Sequence, residues 1–132
     1  MLLVDTNVLV DVLQDDPEWA EWSINQLRAQ AKIHELAVNS VIYAELSLSF
    51  STIEALDDVV AKMALAFEEV PKHALFLAGK AFAQYRKRGG SKTQVLPDFL
   101  IGAHAAVRGW PLLTRDPSRF RTYFPALQVI AP

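Results

Sequence analysis

The chain has 132 residues, of which 52% are hydrophobic and 21% are charged, and its formal net charge is −2. This composition predicts one globular domain over residues 1–132 and excludes a disordered chain, while the lack of cysteine excludes a disulfide framework and a thiolate metal site. No apolar stretch reaches the ~20 residues that span a bilayer, and the first residues do not resemble a signal peptide, so we expect a cytoplasmic protein with no membrane segment.

Charge is divided unevenly along the chain. Residues 1–71 hold 13 acidic and 3 basic residues, whereas residues 72–132 hold 10 basic residues and only 2 acidic ones. A half-chain so rich in Arg and Lys is typical of proteins with an anionic partner. Packing of the basic half against the acidic half explains the split equally well, so charge alone leaves both interpretations open.

Short apolar runs alternate with helical patterns throughout the sequence. In chain order, the predicted elements are a strand at 2–4, helices at 6–14 and 17–31, a strand at 36–38, helices at 40–50 and 51–66, a strand at 67–70, helices at 72–88 and 97–108, a strand at 112–114, a helix at 117–123 and a strand at 127–130. Such uninterrupted apolar strands between helices predict a parallel sheet that helices cover on both faces.

Start and stop signals set several of these boundaries. Asp16, followed by proline, is predicted to start the second helix, and Ser51 with Glu54 forms a capping box for the fourth. Gly89 and Gly109 are predicted to end the helices that precede them, because glycine adopts the left-handed conformation found after helix C-termini.

Asp5 follows the first predicted strand, within the stretch LLVDTNVLV. In open parallel sheets, ligands bind at the carboxyl ends of the strands, which makes Asp5 a candidate functional residue. An ordinary N-cap explains the same residue. Thr6 or Asn7 could also cap the helix and leave Asp5 free, so both interpretations stay open.

Glu45 falls on the apolar side of its predicted helix, between Val41 and Leu48 on one flank and Ile42 and Leu46 on the other. A buried carboxylate is costly unless it is paired or bound to a metal, and no basic residue lies within one helical turn. A salt bridge from elsewhere in the fold, or partial exposure, is the alternative to a functional role.

Asp98 and Asp116 each lie beside a proline at the start of a predicted helix. Both are ordinary positions for an acid, because a carboxylate caps the helix and is stabilised by its dipole. The helix after Asp98 is apolar on nearly all sides, so we expect it to be buried. His104 in that helix is then expected to be a hydrogen-bonded core histidine rather than a ligand.

Together, the four acids fit a second pattern. Asp5 and Asp116 follow strand ends, Asp98 opens a buried helix, and Glu45 lies on an apolar face, so a parallel sheet brings all four to one crevice. Ionised carboxylates ~4 Å apart repel by ~1 kcal/mol even at the dielectric constant of water, and by more inside a protein. A divalent cation relieves this repulsion, and oxygen ligands without cysteine favour Mg²⁺ or Mn²⁺.

In this order, the acidic stretches resemble those of PIN-domain ribonucleases, and specifically of VapC-type toxins from bacterial toxin–antitoxin pairs. The opening strand and turn match VDTN, the internal glutamate matches VIYAEL, and the last two acids match PDFLIGAHA and PLLTRDPSRF. Phe120 fits the aromatic residue that follows the last acid. The resemblance covers nearly the whole chain and implies a three-layer α/β/α sandwich with a central parallel sheet.

The resemblance implies an endoribonuclease that depends on Mg²⁺ or Mn²⁺ and leaves a 5′-phosphate and a 3′-hydroxyl. It implies that Asp5 and Asp98 ligate the metal directly. Glu45 would hold a metal or orient its water, and Asp116 would act directly or through water.

Other residues near the acids are candidates for supporting roles. Asn7 and Thr114 are expected to orient the metal ligands. The candidate RNA contacts are Arg86, Lys87, Arg88, Lys92, Arg115, Arg119 and Arg121. Contact with the RNA backbone makes binding dependent on salt, although each of these bases is equally explained as a solvated surface charge.

The resemblance also implies two protein partners, a cognate VapB-type antitoxin and a second copy of the chain in a homodimer. Aromatic residues in the first half suit such a contact, and core packing explains some of them as well: Trp19, Trp22, Tyr43 and Phe50.

Two other functions remain as alternatives. In an aspartyl-phosphate phosphatase or receiver domain, Asp5 would be the nucleophile, but such phosphatases carry a second acid two residues later, where this chain has Asn7. A catalytically inactive interaction domain is the non-enzymatic alternative, and the presence of all four acids argues against it.

Overall fold

The computed structural model describes all 132 residues and contains a single five-stranded sheet. Its strands are β1 (Leu2–Val4), β2 (Leu36–Asn39), β3 (Ala66–Glu68), β4 (Leu112–Leu113) and β5 (Val129–Ile130). Their order is β3-β2-β1-β4-β5, and every neighbouring pair is parallel. The prediction of an α/β fold with a central parallel sheet is confirmed.

Seven α-helices connect and flank these strands. They are α1 (Thr6–Leu13), α2 (Ala20–Ala31), α3 (Ser40–Leu46), α4 (Ile53–Lys62), α5 (Lys72–Lys87), α6 (Leu96–Arg108) and α7 (Ser118–Tyr123). Helix α1 packs on α2 and α3, while α6 packs on α5, α3 and α7. None of the helices is both long and apolar enough to cross a lipid bilayer.

The order of the strands creates a crevice between β1 and β4. From β1 the chain winds outward through β2 to β3, then returns to form β4 on the other side of β1. Val4 is paired with Leu113, so both strands end at the same level of the sheet. The connections leave these two strand ends in opposite directions, which is where open parallel sheets bind ligands.

The centre of the sheet is buried on both faces. All three residues of β1 have no exposed surface, which agrees with its uninterrupted apolar sequence. Helix α6 is buried through its middle, where the burial predicted for this helix is found, while its two ends are partly or fully exposed. At Gly102, an added Cβ atom would lie 2.6 Å from the ring of Phe124, so glycine allows the segment around α7 to lie directly on α6.

His104 is a core histidine, as the sequence predicts. It has no exposed surface, and its Nδ1 lies 3.1 Å from the side-chain nitrogen of Asn39. Burial lowers the pKa of the imidazole to about 4, with a smaller effect from Arg108, so the ring is neutral near pH 7. Helix α6 ends at Gly109, in the left-handed conformation expected there.

The prediction of one helix over 40–50 is wrong. Helix α3 ends at Leu46, a short 3₁₀ turn follows at Ser47–Ser49, and Phe50 is extended. Serines at 47, 49 and 51 favour turns by bonding to nearby backbone groups, and the Ser47 hydroxyl donates to the carbonyl of Ala44.

Several predicted helix starts also differ from the structure. Thr52, not Ser51, caps α4 by accepting a bond from the amide of Ala55, so the predicted capping box is wrong. Asp16 accepts bonds from the next two amides after the proline but forms a turn, and α2 begins only at Ala20. Helix α7 begins at Ser118, one residue later than predicted.

Candidate active site

Asp5 lies at the carboxyl end of β1, facing the end of β4. Its Oδ1 accepts a bond from the amide of Thr6 at 2.8 Å, and its Oδ2 accepts one from the hydroxyl of Thr114 at 2.7 Å. The backbone amide of Asp5 also donates to the carbonyl of Leu113. Asp5 is therefore the N-cap of α1, and it is held in the crevice as well, so the two interpretations of this residue are compatible.

The environment of Asp5 favours its neutral form. Only 5% of the residue is exposed, and this burial raises the pKa of the carboxyl group to about 7. The bonds from Thr114 and Thr6 oppose the increase, whereas the charges of Asp98 and Glu45 add to it. A carboxyl group that titrates near neutral pH within a crevice is typical of functional sites.

Glu45 approaches the same place from α3. Its Oε1 accepts a bond from the hydroxyl of Thr6 at 2.6 Å, so a single residue links it to Asp5. Partial burial raises the pKa of Glu45, the bond from Thr6 lowers it, and the charge of Asp98 raises it again. No ion pair involves Glu45. A salt bridge, which the sequence left open as an explanation for Glu45, is therefore absent.

Helix α3 is fixed by its first turn. The side-chain oxygen of Asn39 accepts a bond from the amide of Ile42, and its nitrogen contacts His104 on α6. This buried contact joins the helix that carries Glu45 to the helix that carries Asp98.

Asp98 lies in the first turn of α6, where it forms a close ion pair with Arg119 of α7. Nη1 of Arg119 lies 2.6 Å from its Oδ2. Burial raises the pKa of Asp98 and the nearby charge of Asp116 adds to this effect, while Arg119 lowers it through both its hydrogen bond and its charge.

Asp116 is the most exposed of the four acids, with 75% of its side chain accessible. It does not cap α7, whose first turn has no side-chain cap, so the strongest alternative explanation for this acid is removed. Its Oδ2 is 3.4 Å from the side-chain nitrogen of Asn7, and its amide donates to the hydroxyl of Thr114 at 3.2 Å.

Asn7 and Thr114 join the two sides of the crevice. The side-chain nitrogen of Asn7 lies 3.4 Å from the Thr114 hydroxyl, and its oxygen accepts a bond from the amide of Arg115 at 3.2 Å. Both residues thus lie between Asp5 and Asp116, and their role in orienting metal ligands stays a prediction.

The crevice contains a polar cavity of about 260 Å³. Its walls are formed by Asp5, Asn7, Asp98, Asp116, Ser118, Arg119 and Phe120. Glu45 is not part of the wall and lies behind Thr6. A larger, mostly apolar hollow of about 330 Å³ lies elsewhere, between α3 and α4.

The chemistry of this acidic cluster fits a hard divalent cation. The donors are oxygen atoms, and the charges of Asp98 and Glu45 raise the pKa of Asp5 while that of Asp116 raises the pKa of Asp98, so the four acids form one repelling group. As the side chains are placed, no three of them approach one point closely enough to hold an ion together. Metal binding therefore stays a prediction.

The basic candidates are distributed over several places. Arg119 lies within the cavity, and its guanidinium carbon is 6.0 Å from the centre of the Tyr85 ring. Arg86, Lys87, Arg88 and Lys92 are exposed at the end of α5 and in the loop that follows. Arg121 is exposed on α7. Their contact with RNA stays a prediction.

Arg115 is placed differently from the other basic candidates. Its guanidinium group forms two bonds with the carboxylate of Asp11 on α1, at 2.9 and 3.0 Å. Only 25% of its side chain is exposed. Arg115 is therefore paired within the fold, and Asp11 competes with RNA for its guanidinium group.

Sequence reasoning missed two residues of this region. Thr6 was considered as a cap, but its hydroxyl donates to Glu45 instead. Asp11 was not singled out, although it lies on the apolar side of α1 beside the buried residues Val8 and Leu9. The signal that identified Glu45, an acid on an apolar helix face, would have identified Asp11 as well.

Comparison with known proteins supports the architecture. The family model described as "PIN domain" matches residues 2–124. Among curated proteins, no significant match to this chain was found.

Several solved structures share the fold. VapBC2 from Rickettsia felis, bound to a DNA fragment of its promoter, is 22% identical with a TM-score of 0.76, covering 99% of this chain and 98% of that one. VapBC-1 from nontypeable Haemophilus influenzae is 17% identical (TM-score 0.74, covering 98% and 96%), and DNA-bound VapBC from Salmonella typhimurium is 20% identical (TM-score 0.72, covering 99% and 98%). The resemblance predicted from the sequence is thus confirmed, and the chain belongs to the PIN domain family.

Proposed function

We propose that this chain is a Mg²⁺- or Mn²⁺-dependent endoribonuclease and the toxin of a VapBC-type toxin–antitoxin pair. One observation carries the proposal: Asp5, Asp98 and Asp116 line one crevice with Glu45 behind Thr6, and the charges of neighbouring acids raise the pKa of Asp5, Glu45 and Asp98. Membership of the PIN domain family, whose members are nucleases, supports the same conclusion.

In the proposed site, Asp5 and Asp98 hold the metal directly. Glu45 holds a metal or orients water, and Asp116 acts directly or through water. When bound, a divalent cation lowers the pKa of the attacking water and neutralises charge that builds up on the phosphate oxygens.

The other residues of the crevice set the positions of these acids. The Thr114 hydroxyl and the Thr6 amide each occupy one oxygen of Asp5 and fix the plane of its carboxylate. Asn7 connects this pair to Asp116. Arg119 carries the only positive charge in the wall of the cavity, so it is the group best placed to meet a phosphate of the RNA.

A VapB-type antitoxin is the proposed protein partner. The similar structures described above are VapBC complexes, some of them bound to DNA. The resemblance implies that the antitoxin lays a segment across the acidic crevice and often places an arginine there. The homodimer and the cytoplasmic location stay predictions.

The aspartyl-phosphate alternative has less support. Such phosphatases carry a second acid two residues after the nucleophile. In this chain that position is Asn7, whose side chain contacts Thr114 and Asp116 instead.

Cleavage of RNA by the purified chain tests the proposal. The wild-type protein, freed of antitoxin, is incubated with end-labelled RNA and Mg²⁺, and Asp5→Asn and Asp98→Asn are compared with Asp58→Asn. Asp58 is an exposed acid paired with Lys62 on α4, so its replacement makes the same charge change outside the crevice. We expect cleavage by the wild type and the control only, with 5′-phosphate and 3′-hydroxyl ends.

Two further outcomes would contradict the proposal. Cleavage that persists in excess EDTA would remove the metal from the mechanism. In bacteria, expression of the wild-type chain should arrest growth and Asp5→Asn should relieve the arrest, so equal toxicity of both would refute the role as a nuclease toxin. An inactive interaction domain predicts no cleavage by any variant.

A further inference from the structure

A second buried acid lies close to the crevice but outside it. Asp11 on α1 is only 2% exposed, and both of its carboxylate oxygens are occupied. Nε of Arg115 donates to Oδ2 at 2.9 Å and Nη2 donates to Oδ1 at 3.0 Å, while the hydroxyl of Ser23 on α2 also donates to Oδ2. Three separate parts of the chain therefore meet at this carboxylate.

Arg115 lies between the two site residues of the turn after β4, Thr114 and Asp116. Its backbone amide donates to the side-chain oxygen of Asn7 at 3.2 Å. Its guanidinium carbon lies 5.5 Å from the ring centre of Trp19, just before α2. The side chain and the backbone of this arginine thus hold the turn against α1 and α2 at two points.

We infer that Asp11 is a positioning residue of the active site, which acts through Arg115 to fix the turn that carries Thr114 and Asp116. With respect to catalysis, this inference rests on the proposed function. A planar guanidinium that makes two parallel bonds to a buried carboxylate has one preferred orientation, which a single bond does not impose. The orientation of Arg115 in turn sets the position of the Thr114 hydroxyl, which donates to Asp5.

The pairing of Arg115 with Asp11 gives this arginine a positioning role, which differs from a role in RNA binding. An arginine that contacts RNA contributes to the affinity for the substrate, so its loss raises KM. An arginine that positions catalytic groups affects the rate of the chemical step, so its loss lowers kcat. The two roles also predict opposite effects of removing Asp11, because this removal would free Arg115 to bind RNA.

A mutant cycle separates these roles. Asp11→Asn, Arg115→Gln and the double variant are compared with the control Asp58→Asn, each after thermal unfolding has shown that it is folded. We expect kcat to fall by about a hundredfold in both single variants with KM within about twofold of the wild type. The double variant should be no worse than either single variant, because the two residues act as one unit. Unchanged kcat in Asp11→Asn, or a raised KM in Arg115→Gln with normal kcat, would overturn the inference.

A second measurement decides the question without any cleavage. Hydrogen exchange by NMR reports on the amides of Arg115 and Asp116, which donate to Asn7 and Thr114. We expect both amides to exchange about tenfold faster in Asp11→Asn than in Asp58→Asn, because the turn opens locally. Equal exchange would overturn the inference. If Asp11→Asn does not fold, the double variant takes its place, since it leaves no unpaired buried charge.

The two measurements keep the failure of this inference apart from the failure of the proposed function. If the wild type cleaves no RNA, the proposed function fails, while amide exchange still tests whether Asp11 fixes the turn. If the wild type cleaves RNA and exchange in the variant is unchanged, the positioning role fails alone.

Discussion

Replacing Asp5 with asparagine tests whether the acidic crevice lowers the stability of the protein. Burial raises the pKa of this carboxyl group from 3.8 to about 7. The folded protein therefore holds the proton more tightly than the unfolded chain does. Ionisation above the unfolded pKa favours unfolding, so the contribution of Asp5 to stability falls as the pH rises from about 4 to about 7.

The size of this effect follows from the two pKa values. Full ionisation of Asp5 costs about 4 kcal/mol of stability, of which about 2–3 kcal/mol develops between pH 5 and pH 8. Asparagine cannot ionise, so the variant does not lose this free energy of unfolding as the pH rises. It has only one oxygen to accept the bonds from Thr6 and Thr114, which lowers the stability of the variant by about 1–3 kcal/mol at every pH.

The assay is urea unfolding in EDTA at several pH values from 5 to 8. We expect the free energy of unfolding of Asp5→Asn, relative to the wild type, to increase by about 2–3 kcal/mol over this range. The control Asp58→Asn lies outside the crevice and should show a nearly constant difference. A constant difference for Asp5→Asn as well would refute the raised pKa, and with it the electrostatic argument for the crevice.

Other predictions address the neighbours of Asp5 and the packing of α6. Adding Mg²⁺ at pH 8 to 100 times its Kd should stabilise the wild type by about 2.7 kcal/mol in thermal unfolding, and stabilise Asp5→Asn far less; equal stabilisation would place the ion elsewhere. Thr114→Val removes a bond that lowers the pKa of Asp5, so carboxyl NMR titration should show a higher pKa than in the wild type. Arg119→Gln should raise the pKa of Asp98 in the same titration, because Arg119 lowers it through its hydrogen bond and its charge; an unchanged value would mean that the pair does not persist in solution. Gly102→Ala should lower the free energy of unfolding by about 1–3 kcal/mol, because its methyl group meets a buried phenylalanine ring.

Much of the fold could be predicted because its signals are local. The apolar run before Asp5 and the run before Thr114 each form a parallel strand, and the glycine at 109 ends its helix as expected. The errors at helix starts arise where neighbouring residues are able to play the same role. Ser51 and Thr52 are both able to cap a helix, and the sequence does not decide which of two adjacent hydroxyls does so.

The contacts within the site depended on distant parts of the chain. Glu45 was identified from its helix face, but its partner, the Thr6 hydroxyl, lies 39 residues away in the sequence. Arg115 and Arg119 look alike in the sequence, being two cations within five residues of one turn. Only the packing of α1 and α6 against this turn assigns one to Asp11 and the other to Asp98.

The donors around each acid distinguish Asp11 from the acids of the proposed metal site. Asp11 is neutralised by two bonds from a guanidinium group, so its charge is balanced within the fold. Asp5 is buried and Glu45 is half-buried, yet their donors are hydroxyl and amide groups that carry no net charge. Neutral donors fix the orientation of a carboxylate and leave its negative charge uncompensated. In the proposed metal site, such donors would preserve the attraction for a cation, whereas full pairing with arginine would remove it. Asp98 lies between these cases, because Arg119 balances its charge from a half-buried position on α7 in the wall of the cavity, where a competing cation or a phosphate is able to reach it.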